Sequence, residues 1–113
     1  MKSLAMTLDL VDDPAVIDKY KAYHREVWPE VISGLRSIGV ARMKIFLLGT
    51  RMFMYLEVPD DFDLATDFQA YTDSSPRAKA WDELMRDFQS QVPEAKEGEW
   101  WAGMEEVFDI DWF

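Results

Sequence analysis

The sequence of 113 residues predicts one mixed α+β domain with the element order β-α-β-β-α-β. Three observations support this prediction: an alternating apolar–polar stretch near the amino terminus, a long apolar stripe at helical spacing after it, and two adjoining alternating stretches separated by Gly49-Thr50. With 49% hydrophobic residues the chain is able to bury a core of its own, so we expect a single domain over residues 1–113.

The first strand and the first helical region are predicted from their periods. Apolar side chains occupy every second position over Leu4–Leu10, which indicates a half-buried strand. Asp12-Asp13-Pro14 then supplies an N-cap followed by a proline at the first helical position. Pro29 interrupts the helical pattern and Gly39 ends it, so we expect one kinked helix or two nearly continuous segments. The apolar stripe contains Ile17, Tyr20, His24, Val27, Trp28, Val31, Leu35 and Ile38.

A β-hairpin is predicted in the middle of the chain. Residues Val40–Leu48 and Arg51–Val58 alternate as strands, and Gly49-Thr50 fits a two-residue type II′ turn with glycine first. Both faces of this hairpin carry apolar side chains, and a sheet that is apolar on both faces needs a cover on each. Because the chain is short, we expect a second subunit to cover the face that the helices leave free.

The last third of the chain predicts two helices and a strand. Helical spacing indicates a short helix over residues 62–71, and a second helix that starts near Arg77 and ends at Pro93. A charged linker, Glu94–Glu99, leads to a last strand over Gly103–Asp111. The complete order is the ferredoxin-like arrangement, in which four antiparallel strands carry their helices on one face.

Composition excludes several classes of function. The chain has no cysteine and one histidine, which excludes disulfides, thiolate metal sites and a cysteine nucleophile. No glycine-rich phosphate loop is present. With 22 acidic and 12 basic residues the net charge is −10, which argues against binding to nucleic acid. We see no signal peptide and no apolar run long enough to span a membrane, and therefore expect a cytoplasmic protein.

His24 is the candidate for acid–base chemistry without a cofactor or a metal. It is the only side chain of its type in the protein, and its ordinary pKa lies in the physiological range. Tyr20 lies one helical turn earlier on the same apolar stripe, so the two side chains are expected to be neighbours. A histidine on an apolar stripe also fits a hydrogen-bonded core residue. On the residues alone the two interpretations are equally supported.

A sugar pocket is a second interpretation of the aromatic residues. Trp81 lies on the apolar side of its predicted helix, where it fits either a core position or a platform on which a sugar ring stacks. Arg42, Lys44 and Tyr55 of the hairpin would supply hydrogen bonds to sugar hydroxyls. An exposed cross-strand cluster is the other interpretation, and the pattern favours it for Arg42 and Lys44.

The pattern Tyr20-x-x-x-His24-x-x-x-Trp28-Pro29-Glu30 resembles the signature of the L-rhamnose mutarotase family of small sugar mutarotases. The resemblance covers almost the whole chain, through segments that include Tyr55-Leu56-Glu57-Val58, Tyr71-Thr72-Asp73, the helix of Trp81 and Glu105-Glu106-Val107-Phe108. It implies a homodimer of the dimeric α/β-barrel type that interconverts the α and β anomers of a 6-deoxyhexose. It also implies that neither a cofactor nor a metal takes part.

The resemblance assigns roles to individual residues. The proton-donating histidine of the family corresponds to His24, and its sugar-contacting tyrosine corresponds to Tyr20. A tandem aromatic pair of the family corresponds to Ala80-Trp81, so only the tryptophan keeps that role. A further family tyrosine corresponds to Met43, which cannot donate a hydrogen bond. With Tyr55 from the hairpin, these side chains form the expected sugar site.

The natural sugar and the identity of the base stay open at this level. The segment Arg51-Met52-Phe53-Met54-Tyr55 resembles the branch of the family associated with L-fucose, which favours L-fucose over L-rhamnose. The group that accepts the proton of the sugar O1 hydroxyl is unassigned between a water and a carboxylate. Two other functions fit the same fold: a cofactor-independent monooxygenase, and a non-catalytic dimeric binding domain in which His24 is buried and neutral.

Overall fold

The computed structural model describes all 113 residues and has the predicted ferredoxin-like architecture. The strands form one antiparallel sheet in the order β2-β3-β1-β4, and β5 also pairs with β1. None of the helices is both long enough and apolar enough to cross a lipid bilayer. The elements are β1 (Lys2–Leu10), α1 (Pro14–Arg25), α2 (Pro29–Ser37), β2 (Arg42–Leu48), β3 (Arg51–Val58), α3 (Leu64–Asp73), α4 (Pro76–Arg86), β4 (Gln89–Ser90), β5 (Ala102–Gly103) and a closing 3₁₀ helix (Ile110–Trp112).

The core lies between the sheet and the helices. Strand β1 is central and pairs with β3 from Lys2 opposite Val58 to Asp9 opposite Arg51. Alternate side chains of these two strands point toward the helices, and burial of each is worth about 1.5–3 kcal/mol relative to full exposure. The buried residues of this face are Met6, Leu8, Leu10, Met52, Met54, Leu56 and Val58.

The hairpin has the predicted turn. Leu48 pairs directly with Arg51, so the loop contains Gly49 and Thr50 only. Gly49 has a φ of 63°, whereas no residue other than glycine has a positive φ. A positive φ at the first loop position alone is the signature of a type II′ turn, since a type I′ turn needs it at both.

The helical region is broken at the predicted proline. Helix α1 begins after Asp13, whose carboxylate accepts a hydrogen bond from the Ala15 N–H at 2.9 Å. It ends at Arg25, and α2 starts at Pro29, as expected for two nearly continuous segments. Gly39 has a φ of 101° just after α2, which confirms the predicted glycine end. The break places His24 in the last turn of α1.

The prediction for the end of the second carboxyl-terminal helix is wrong. Helix α4 stops at Arg86 rather than at Pro93, and Gln89–Ser90 form strand β4 against β1. The backbone N–H of Val11 donates to the Phe88 carbonyl at 2.9 Å, which extends this pairing. This pairing satisfies backbone groups on the free edge of β1, which would have no partner if α4 continued to Pro93. The apolar spacing of this segment is compatible with both structures.

The predicted last strand, Gly103–Asp111, is also wrong over most of its length. Only Ala102–Gly103 pair with β1, and one further bond joins the Met104 N–H to the Ala5 carbonyl. After that point the chain leaves the sheet and its apolar side chains are exposed. A single subunit offers no surface that would bury one face of a strand here, so the alternating pattern does not lead to a strand. These exposed residues form what we call the apolar tail: Val107, Phe108, Ile110, Trp112 and Phe113.

The face of the sheet opposite the helices is uncovered in the single chain. Phe46 is 55% exposed and Leu48 is 86% exposed on β2, and the ring of Phe46 lies 6.1 Å from that of Phe53 on β3. We call this surface the open sheet face, defined by Phe46, Leu48, Phe53 and Tyr55. It is the face for which the sequence predicts a second cover.

Candidate functional site

A cleft of about 740 Å³ opens between the helices and the helix-facing side of the sheet. This volume is within the range of roughly 300–1,000 Å³ that is typical of small-molecule sites. A smaller cavity of about 360 Å³ adjoins it at His24 and Met43. The cleft brings together four of the predicted site residues: Tyr20, His24, Met43 and Trp81.

His24 enters the cleft with one ring nitrogen engaged and the other free. Its Nδ1 lies 2.8 Å from the backbone carbonyl of Tyr20. A carbonyl oxygen only accepts, so Nδ1 carries the hydrogen and the lone pair of the neutral ring is on Nε2. Nε2 makes no hydrogen bond. Because every buried side-chain nitrogen and oxygen of the protein has a hydrogen-bond partner, Nε2 is not a buried atom. Nε2 is therefore accessible to a ligand.

The surroundings of His24 favour its neutral form. The imidazole stacks on the ring of Tyr20, with centroids 4.2 Å apart, and packs edge-to-face with Trp81, with centroids 5.5 Å apart. Burial among these rings lowers the pKa of His24 below its ordinary value, against an opposing effect of the Tyr20 carbonyl. At neutral pH the side chain is thus an imidazole that is able to accept a proton.

Tyr20 presents a hydroxyl that stays protonated. The side chain is 5% exposed, and burial raises its pKa to about 12 despite a hydrogen bond from Gln89. The Nε2 of Gln89 lies 3.4 Å from the Tyr20 hydroxyl oxygen, at the long end of the hydrogen-bonding range. Tyr20 therefore acts as a hydrogen-bond donor rather than as a base.

Gln89 and Trp100 are cleft residues that the sequence did not indicate. Gln89 is the one buried polar residue of the protein, and its Oε1 accepts a hydrogen bond from the Trp100 indole at 2.7 Å. The sequence placed Gln89 inside a longer helix, where a glutamine gives no signal of burial. The burial of Gln89 follows from strand β4, which directs its side chain toward Tyr20.

Trp81 is both a core residue and a wall of the cleft. It is 7% exposed, and its ring packs edge-to-face with Tyr23 and Trp28, with centroids 6.0 Å and 5.1 Å apart. Trp28 is covered on one side by the guanidinium of Arg77, 3.7 Å from its centroid. This packing fixes the orientation of Trp81 as a core residue that also lines the cleft, and its role as a platform for a sugar ring stays a prediction.

Met43 and Tyr55 lie on opposite faces of the sheet. Met43 lines the cleft from β2. Tyr55 sits between the buried Met54 and Leu56 on β3, and successive side chains of a strand point to opposite sides. Tyr55 therefore belongs to the open sheet face and is not brought to His24 within one subunit, contrary to the expected grouping.

Polar groups line the other end of the cleft. The carboxylate of Asp82 pairs with Arg86 at 3.0 Å, and the Arg86 guanidinium lies 4.8 Å from the Trp100 ring centroid. Burial and the nearby charge of Asp82 raise the pKa of Tyr71 to about 12. These groups are able to hydrogen-bond the hydroxyls of a polar ligand. No three histidine or acidic side chains come together in a group that would hold a metal ion.

The chain is similar to known proteins along nearly its whole length. The family model described as L-rhamnose mutarotase matches residues 3–110. A UPF0734 protein of Dictyostelium discoideum is 55% identical over 115 residues, which cover 99% of this chain and 92% of that protein. An L-fucose mutarotase of Xanthomonas campestris pv. campestris is 40% identical over 112 residues, 97% of this chain and 89% of that protein.

A solved structure shares the fold. The crystal structure of an L-rhamnose mutarotase from Formosa agariphila superposes with a TM-score of 0.69 and 23% identity, covering 97% of this chain and 99% of that one. At this identity the likeness shows the fold alone. The family match and the sequence relatives extend over nearly the whole chain, and they include the segments that position His24 and Trp81. The chain therefore belongs to the L-rhamnose mutarotase family of sugar mutarotases.

Proposed function

We propose that the protein interconverts the α and β anomers of a 6-deoxyhexose, with L-fucose as the preferred sugar and L-rhamnose as the second. The observation that carries this proposal is the neutral His24, whose accessible Nε2 faces a cleft walled by aromatic rings. Family membership supports the reaction class over the monooxygenase and the non-catalytic binding domain. The relative named L-fucose mutarotase, at 40% identity, supports the choice of sugar.

The proposed reaction moves one proton out and back through His24. Nε2 accepts the proton of the O1 hydroxyl, the bond from C1 to the ring oxygen breaks, and the ring oxygen takes the proton from Nε2. The products are the open-chain aldehyde and a neutral imidazole. Rotation about the C1–C2 bond followed by the reverse steps closes the ring on the other face of C1. Because both oxygens are bonded to C1, one nitrogen is able to serve both, and no cofactor is needed.

The other cleft residues hold the sugar in place. Trp81 offers an apolar ring face to the C–H groups of the sugar, and Tyr20 donates a hydrogen bond to one of its oxygens. Met43 is apolar and adaptable, so it suits contact with the methyl group that distinguishes a 6-deoxyhexose. A positioned acid–base group of this kind contributes about 10²–10⁴-fold in rate.

A homodimer is part of the proposal. The open sheet face and the apolar tail expose large hydrophobic side chains such as Phe46 at 55% and Phe113 at 94%. Contiguous apolar surface on a small protein marks an interaction site, and a second copy of the chain would cover it. Tyr55 would then lie at the subunit interface. The cytoplasmic location expected from the sequence stays a prediction.

The sugar preference is tested by saturation-transfer NMR on the anomeric protons. We expect the protein to accelerate exchange between the two anomers of L-fucose most strongly and those of L-rhamnose more weakly. L-galactose, which is L-fucose with a hydroxyl on C6, should exchange more slowly than L-fucose, because that hydroxyl would be placed against Met43 without a hydrogen-bond partner. Each sugar is also measured without protein. A rate on both deoxyhexoses equal to that of buffer would refute the proposal.

A further inference from the structure

A directed chain of hydrogen bonds runs from Trp100 to Tyr20. The Trp100 indole N–H donates to Oε1 of Gln89 at 2.7 Å, and an indole nitrogen is never an acceptor. The orientation of the Gln89 amide is therefore determined by its partner. Its NH₂ group must be the end that faces the Tyr20 hydroxyl, 3.4 Å away.

The direction of these hydrogen bonds determines whether the Tyr20 hydroxyl donates to a ligand or accepts from it. An amide NH₂ group only donates, so the Tyr20 oxygen is the acceptor in its contact with Gln89. The hydroxyl proton of Tyr20 has no acceptor elsewhere in the protein. It remains available for a ligand in the cleft that Tyr20, Gln89 and Trp100 line together.

We propose that Gln89 is a positioning residue that directs the hydroxyl proton of Tyr20 toward an acceptor oxygen of the bound sugar. The inference deepens the proposed function and rests on it. Gln89 is 8% exposed, and both ends of its amide are engaged by named partners. Trp100 is held in turn by the Arg86 guanidinium over its ring. The carboxyl-terminal segment thus fixes the donor direction of a residue on α1.

Gln89→Glu tests the direction while it preserves the size of the side chain. The ionised carboxylate accepts from both Trp100 and Tyr20, so Tyr20 donates to it and no longer to the sugar. We expect the exchange rate of L-fucose to fall about 10²-fold at pH 8, the order found when one positioned donor is lost. Protonation of the new carboxyl restores a donor toward Tyr20. The ratio of variant to wild-type rate should therefore rise as pH falls.

The ratio to wild type at each pH removes the effect of titrating groups whose pKa the substitution leaves unchanged. The new carboxylate, while ionised, would raise the pKa of His24 and so lower the ratio, which is opposite to the rise expected when it is protonated. The ionisable and charged groups around position 89 are Tyr20 and His24 on α1, Arg86 on α4, Glu99 beside Trp100, and Asp9 on β1, and all are common to both proteins. Ala22→Glu is the matched control, because it adds the same charge at an exposed position of α1, two residues from Tyr20. We expect Ala22→Glu to retain the wild-type rate.

A readout without activity separates this inference from the proposed function. With tyrosine labelled at Cζ, the Tyr20 resonance of unliganded Gln89→Glu should show a pH step in addition to the one that the stacked His24 causes in wild type and in Ala22→Glu. The inference is overturned if that additional step is missing, if the variant has the wild-type rate at pH 8, or if its rate ratio does not recover at low pH. If wild type itself fails to accelerate exchange, the proposed function fails. The Cζ measurement then still shows whether residue 89 sets the direction of the Tyr20 hydroxyl proton.

A second variant covers the case in which Gln89→Glu does not fold. Trp100→Phe removes the indole donor and leaves the Gln89 amide free to adopt either orientation. Tyr20 then loses its fixed donor direction, and we expect a several-fold lower exchange rate with unchanged pH dependence. A wild-type rate in Trp100→Phe would contradict a directing role for the chain of hydrogen bonds.

Discussion

Replacing His24 with alanine should abolish the accelerated exchange between the anomers of L-fucose. The alanine has no nitrogen to accept the O1 proton, and the proposed reaction passes that proton through Nε2 alone. The expected loss is the full contribution of a positioned acid–base group, about 10²–10⁴-fold, down to the rate of buffer. The anomeric protons in saturation-transfer NMR provide the measurement.

Two controls show whether the loss of exchange rate comes from the missing imidazole or from unfolding. Lys21→Ala changes an exposed residue of the same helix and should keep the wild-type rate. His24 is half-buried and makes one hydrogen bond, to the backbone of Tyr20, so His24→Ala should remain folded in thermal unfolding. Exchange by a folded His24→Ala protein at the rate of wild type would eliminate His24 as the proton carrier.

Replacing Phe46 with glutamate should convert the proposed dimer to a monomer. Phe46 lies on the open sheet face, where it is paired with Phe53 on the neighbouring strand. In a two-fold symmetric interface one substitution introduces two carboxylates, and both would be buried without partners. The side chain is 55% exposed in the single subunit, so its folding should be little affected. Sedimentation velocity measures the change in mass.

The matched control for this variant is Ala70→Glu, which adds the same charge to an exposed position on α3, in the helical layer. It should sediment as wild type. A wild-type protein that sediments as a monomer at micromolar concentration would contradict the dimer outright. A Phe46→Glu protein that remains dimeric would place the interface on another surface.

Periodicity was sufficient for the elements whose burial is decided within one subunit. Strict alternation identified β1 and β3, and the helical stripe correctly placed Tyr20 beside His24 on the inner face of α1. The backbone preferences of proline and glycine predict where these elements begin and end: α2 starts at Pro29, and Gly49 occupies the hairpin turn. These features depend on neighbours in sequence, which is why they were predictable.

The segment after α4 depends on partners that are distant in sequence. Phe88 and Val92 fit a helical stripe, yet the free edge of β1 draws Gln89–Ser90 into the sheet. Gln89 acquires its role through Tyr20, 69 positions earlier, and no local pattern reports such a contact. Tyr55 was grouped with the site by type, whereas its place on the strand puts it on the other face.

The central claim is tested most directly by the rate of L-fucose anomer exchange with wild-type protein as a function of pH, with the rate of buffer subtracted at each point. Burial lowers the pKa of His24 from 6.5, so the neutral form persists to lower pH in the folded protein than in a free side chain. We predict a plateau at neutral pH and a loss as pH falls, with its midpoint below 6.5. No acceleration at any pH, or a midpoint above 6.5, would contradict a neutral His24 as the group that moves the proton.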